Sequence, residues 1–155
     1  MKLQTPVIFP KASFDITHRS TILLFGSCFS ENIGLKLKEN KFSVNVNPFG
    51  VLYNPFSISS AINRLLDKKA FKSEDFVHHN DSYHSFMHHG SFSNSNLIDA
   101  LTHINTEFRL ATSQLDDADF LLVTFGTSYV FRLKETNEIV GNCHKIPGNQ
   151  FVRER

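Results

Sequence analysis

Thr21-Ile22-Leu23-Leu24-Phe25-Gly26-Ser27-Cys28 is the stretch on which the reading of this chain turns. Positions 22 to 25 are all apolar and the run stops at a glycine. A strand without polar alternation has both faces to bury, as in a parallel sheet with helices on either side. Phe29 to Asn40 follows with helical spacing, Ile33, Leu35 and Leu37 set among Glu31, Lys36, Lys38 and Glu39. Ser27 or Ser30 is its expected N-cap and Asn40 its expected end. Phe42 to Val46 reads as a second strand, and Asn47-Pro48-Phe49-Gly50 as a turn. Further along, Asp119-Phe120-Leu121-Leu122-Val123-Thr124-Phe125 is the most apolar strand candidate, and it too ends in glycine, Gly126.

Between these strands, Ser57 to Leu66 carries Ile58, Ala61, Ile62 and Leu65 on one stripe, and Leu97 to Leu110 is apolar at 97, 98, 101, 104 and 108. Both predict helices, the second capped by Asn94 or Ser95. Ser73 to Ser95 is polar and rich in histidine, without a clear period. Tyr129–Leu133 and Glu138–Val140 predict a hairpin around Thr136-Asn137. Phe151 to Arg155 reads as the opening of another helix. Strand, helix, strand, helix, helix, strand is the order of an α/β fold with a mostly parallel sheet. The 155 residues suit a single domain, residues 1–155, which is expected to continue past the last residue. A sheet left incomplete in this way exposes an apolar face and predicts a homodimer.

Composition narrows the function. Lys and Arg number 16 and Asp and Glu 15, a net charge of +1, which argues against a nucleic-acid binder. Sixteen phenylalanines and no tryptophan predict a core packed around Phe. Cys28 and Cys143 are too few for a disulfide framework. The first ten residues lack a signal-peptide core and no stretch approaches the ~20 apolar residues of a membrane span, so the expectation is a cytoplasmic protein with no membrane partner.

In open α/β sheets ligands bind beyond the carboxyl ends of the strands. Two strands here end in small polar clusters, Gly26-Ser27-Cys28 and Gly126-Thr127-Ser128. If the strands are neighbours, the clusters line one crevice. Cys28 then sits at a strand-to-helix turn, where free N–H groups and the positive end of the helix dipole favour a thiolate and can hold an oxyanion. The plainer alternative is that Cys28 is a small buried residue.

The segment Phe25-Gly26-Ser27-Cys28-Phe29-Ser30-Glu31-Asn32-Ile33-Gly34 resembles the signature of the GSCFA family, a bacterial group named for that motif, with Ser30 in place of its alanine. Asn47-Pro48-Phe49-Gly50-Val51-Leu52-Tyr53-Asn54-Pro55, Thr124-Phe125-Gly126-Thr127 and Asn142-Cys143-His144-Lys145-Ile146-Pro147 resemble it as well. That family is in turn similar to the SGNH, or GDSL-type, hydrolases. The resemblance implies a flavodoxin-like three-layer sandwich and an esterase activity needing no cofactor, on a small-molecule or carbohydrate ester. Laid on the Gly-Asp-Ser block of those enzymes, the nucleophile position falls on Cys28 rather than Ser27. Gly50 matches an oxyanion-hole glycine, and Gly126-Thr127-Ser128 matches a Gly-x-Asn block with Ser128 in place of the asparagine. The late Asp-x-x-His of SGNH enzymes has no counterpart in residues 129 to 155. Its absence points to a catalytic apparatus completed outside this chain. A carbohydrate- or acyl-binding module on the same fold is the alternative.

Five histidines, His78, His79, His84, His88 and His89, crowd twelve residues. His84 and His88 would share a face only on a helix, and Asp81 is the nearby carboxylate, so a metal site built on 78–89 is a second alternative. Otherwise this segment covers the crevice with His84 as a substrate contact. His144, beside Cys143, is a further substrate-contact candidate. Cys143 itself reads as structural.

Overall fold

The computed structural model describes residues 10–155. Its centre is a three-stranded parallel sheet in the order β2-β1-β5, with β1 at Thr21–Phe25, β2 at Ser43–Val46 and β5 at Phe120–Val123. Helix α1, Cys28–Glu39, crosses from β1 to β2, and Ser27 caps it by accepting the Phe29 N–H on its hydroxyl. The uninterrupted apolar run of β1 has the expected cause. Ile22 and Leu24 pack with Val44, Leu37 of α1 and Leu122 on one face. Leu23 and Phe25 pack on the other against α2 (Pro55–Leu66) and α3 (Leu97–Asp116), with Ile58, Leu65, Ile104, Phe108 and Ala111. Phe49, Phe71 and Phe108 meet edge to face in this larger core, which bears out the phenylalanine reading.

The remaining strands make two small antiparallel sheets. β3 (Val77–His79) and β4 (Ser82–His84) form a hairpin in the histidine-rich stretch. Its two-residue turn is Asn80-Asp81, both at positive φ, which Asn and Asp tolerate better than other side chains. β6 (Val130–Leu133) pairs with β7 (Ile139–Val140) as the expected hairpin, with Phe131 opposite Val140. On its other edge β6 pairs with β8, Phe151–Glu154. This corrects the helix expected at 151–155. Phe151 is buried with Leu133, Val140 and Ile146, and Arg132 reaches across to Glu154 at 3.0 Å. Cross-strand partners decide that segment over its local pattern.

The helix ends also differ in detail. α2 begins at Pro55, capped by Asn54, whose side chain accepts the Ser57 N–H at 2.8 Å. α3 is capped by Asn96, not Asn94 or Ser95, and runs six residues past Leu110 to Asp116. Ala111 is fully buried and Leu115 packs on the core, so burial carries the last turn and a half. No helix among the described residues is long and apolar enough to cross a membrane.

Candidate functional site at the carboxyl edge of the parallel sheet

With β1 central, the chain leaves it in one direction towards β2 and returns on the other side as β5. The switch point of the sheet therefore lies between β1 and β5, where their carboxyl ends stand side by side in register, Phe25 opposite Val123. The Gly26-Ser27-Cys28 turn and the Thr124–Thr127 segment flank it, as expected of neighbouring strands. Thr124 N–H donates to the Phe25 carbonyl at 3.0 Å, and Ser30 Oγ lies 2.7 Å from Thr124 Oγ1. Gly26 is needed for two reasons. Its φ of 147° is outside the range of ordinary side chains, and a Cβ would collide with Thr124 and come within 2.9 Å of Ser30 Oγ.

A third segment closes the group. Asn47, buried at the end of β2, accepts the Gly26 N–H on Oδ1 at 2.9 Å. Leu52 N–H donates to the Gly26 carbonyl at 2.9 Å, and the Tyr53 carbonyl takes the N–H groups of Gly126 (2.7 Å) and Thr127 (3.1 Å). The Asn47–Pro55 segment thus ties the two strand ends together, and a Cβ on Gly126 would be 3.7 Å from Ser27 Cβ.

Cys28 is exposed at the first position of α1. At a helix start the leading N–H groups have no intrahelical acceptor. Ser27 takes that of Phe29, so those of Cys28 and Ser30 remain without a helical partner. Of the amides expected to hold an oxyanion, that of Cys28 is free among the described residues and two others are engaged elsewhere. Gly50 N–H donates to the Asn47 carbonyl at 2.7 Å and Gly126 N–H to Tyr53. Ser128 is exposed in the loop leading to β6.

One cavity reaches this edge at Tyr53 and Thr127 and a second lies beyond it; Ser27 and Cys28 line neither. The larger, about 620 Å³, is bordered by Tyr53, Thr127, Tyr129, Phe131, His89 and Arg153, the last with its guanidinium 3.8 Å over the Tyr129 ring. The smaller, about 450 Å³, is bordered by His84, His89, Ser93, Asn142, His144 and Lys145. His89 and Asn142 line both. The sequence reading grouped His89 only with its neighbours and gave no role to Tyr53. The signal for Tyr53 was its place inside the Asn47–Pro55 motif; the contact of His89 with Gly50, which has φ 75° and no room for a Cβ against His89, had no counterpart in the sequence pattern.

The histidines separate by environment. His88 is buried, stacked on Phe49 at 4.7 Å and bonded through Nδ1 to Ser85 Oγ at 2.9 Å. Burial, and then the charge of Arg64, hold its pKa down at about 3. His144 donates Nε2–H to the Ser85 carbonyl at 2.8 Å, and desolvation brings its pKa to about 4. It stacks on His84 at 4.5 Å. Cys143 leads into a turn at His144-Lys145, with His144 at φ 48°. Burial pushes the Cys143 thiol up. His84 and His88 lie on a strand and on the turn after it, not on one helix face, and among the described residues no three His, Cys, Asp or Glu side chains converge on a point fit for a metal ion.

The GSCFA family model matches residues 21–155. No curated protein and no solved structure matches the chain. The match covers both strand-end clusters, the Asn47–Pro55 tie and the Asn142–Pro147 turn: the protein belongs to the GSCFA family.

Proposed function

We propose that the protein is an SGNH-like acyl-ester hydrolase whose nucleophile is Cys28, acting on a small ester such as an acylated carbohydrate. The observation that carries this reading is the position of the Gly26-Ser27-Cys28 turn at the switch point between β1 and β5; the turn does not itself line the cavity of about 620 Å³, which begins at Tyr53 and Thr127 on the neighbouring segments. Cys28 Sγ would attack the ester carbonyl carbon, the C–O bond to the alcohol would break, and water would release the acyl group from the resulting thioester. The N–H of exposed Cys28 at the start of α1 is the oxyanion donor this reading favours, since those of Gly50 and Gly126 are engaged. The Ser91 N–H points at His89 Nδ1 at 3.3 Å, so the neutral ring carries its proton on Nε2. His89 therefore brings a donor, not a base, to the cavity. Tyr53, Tyr129 and Phe131 offer aromatic faces to a sugar ring or acyl chain, and Arg153 a cation at the rim.

Incubation with p-nitrophenyl acetate tests the reading. The expected result is an acetyl thioester on the Cys28 peptide by mass spectrometry, and in Cys28→Ala the loss of the share of turnover that passes through it. Turnover indifferent to Cys28→Ala refutes it. The aromatic lining also supports a second reading, a binding module for the same ligands. Its mark is a rise in melting temperature with ligand and no product.

A further inference from the structure

The smaller cavity holds an arrangement the Cys28 reading does not use. Ser93 O–H donates to His84 Nδ1 at 2.6 Å, and His84 Nε2–H donates to the His79 carbonyl at 2.9 Å. A carbonyl can only accept, so the bond to His79 fixes the proton on Nε2 and turns the lone pair of Nδ1 towards Ser93. The ring is held from a second side by stacking on His144, whose own Nε2–H is tied to the Ser85 carbonyl. Hydroxyl, imidazole base and fixed acceptor behind the base are the three parts of an activated serine. The hydroxyl and the base, Ser93 and His84, lie at the wall of a cavity of about 450 Å³ that Asn80, Asn142 and Lys145 also line. The stacked rings keep their Nδ1 lone pairs in separate, nearly parallel planes, 28° apart, and so do not direct them at one metal ion.

We propose that Ser93, with His84 as its base and the His79 carbonyl as orienter, is a second nucleophile, reactive towards short acyl esters of polar alcohols. Ser93 Oγ attacks the carbonyl carbon and its proton passes to His84 Nδ1. The ester C–O bond breaks, the leaving alkoxide takes that proton, and water then hydrolyses the acyl-serine. Lys145, at the cavity wall, supplies positive charge for the carbonyl oxygen. Burial keeps His144 neutral, so the imidazolium formed on His84 meets no charged ring beneath it. This inference is independent of the role given to Cys28.

A fluorophosphonate probe on the full chain tests it. Attack forms the Ser93 O–P bond, expels fluoride and passes the proton to His84. The expected result is a phosphonylated Ser93 peptide, absent in Ser93→Ala and formed about 100-fold more slowly in His84→Gln. Ser93→Ala keeps the backbone bond from Ser93 N–H to the Gly90 carbonyl, so its melting temperature is expected to stay near that of the parent and to show that lost labelling is not lost folding. Labelling at the parent rate in His84→Gln overturns the proposal. So does an unlabelled Ser93 in the parent chain, and an acetyl thioester found on Cys28 in the same preparation leaves the other reading standing.

Discussion

Acidification is expected to unfold this protein through a histidine that takes no part in either proposed site. His88 is 1% exposed, with Phe49 stacked on it and Phe71 and Phe92 against its edges, and Arg64, His103 and His144 are the charged or titratable groups facing it. Its folded pKa is about 3, below the ~6.5 of an unfolded histidine. The neutral ring is thus the form that folding favours. Its contribution is complete above pH 6.5, declines as pH falls through that value, and levels off below the folded pKa. Between pH 7.5 and 5 the loss is about 2 kcal/mol, taken from the pKa of about 3 and the linkage relation. His144, with a folded pKa of about 4, adds a further loss of about 2 kcal/mol over the same range. Together these are a large share of the ~5–15 kcal/mol that holds an ordinary domain. The assay is urea unfolding at pH 7.5, 6.5, 5.5 and 5, followed by circular dichroism, on the parent and on His88→Phe. Phenylalanine keeps the stack on Phe49 but gives up the bond to Ser85, so it is expected to be less stable at pH 7.5. Its decline between pH 7.5 and 5 is expected to be about half that of the parent. Equal declines in the two proteins would refute the assignment of this acid sensitivity to His88.

Gly34→Ala would bring a Cβ into collision with Val46 Cγ2 and to 2.6 Å from Cγ1, and is expected to cost about 1–3 kcal/mol by forcing α1 off β2. Adding Val46→Ala should recover part of that loss, and additive effects in the double mutant would show that the two residues do not meet. Asn54→Ala removes the cap of α2 and is expected to lower stability by about 1 kcal/mol in thermal melts.

The parallel half of the fold was legible because its signals are local. Ile22 to Phe25 reads as a doubly covered strand from four residues, and the Ser27 cap and Asn40 stop of α1 lie where capping chemistry puts them. Helix α3 was read too short because Thr112, Ser113 and Gln114 break the apolar spacing, while burial of Ala111 and Leu115 is decided by strands far away in sequence. Phe151 to Glu154 has no strand signature of its own and becomes β8 because β6 offers it a partner. The histidine-rich stretch did carry a hairpin signal, Asn80-Asp81 between short alternating runs, which the crowd of imidazoles obscured. Of the candidate site, the juxtaposition of Ser27 with Gly126 followed from the strand-end rule, whereas the stacking of His84 on His144 joins positions sixty residues apart and had no counterpart in local pattern.

That long-range stacking is part of how the two halves of the chain are joined. Residues 85 to 89 bond to the loop that follows β2 and to the loop that follows β7. The Phe86 carbonyl takes the N–H groups of Gly141 and Asn142, the Ser85 carbonyl takes the His144 ring, and His89 N–H donates to the Phe49 carbonyl. His88, between these anchors, turns into the phenylalanine core, while His84 and His89 on either side of the segment face the cavities. Loosening this strap at low pH, through protonation of His88, would therefore displace the imidazoles of the smaller cavity before the parallel sheet opens. Amide-exchange protection at His88 and His89 should then be lost at a higher pH than protection in β1. Coincident loss would show that the strap and the sheet open as one unit.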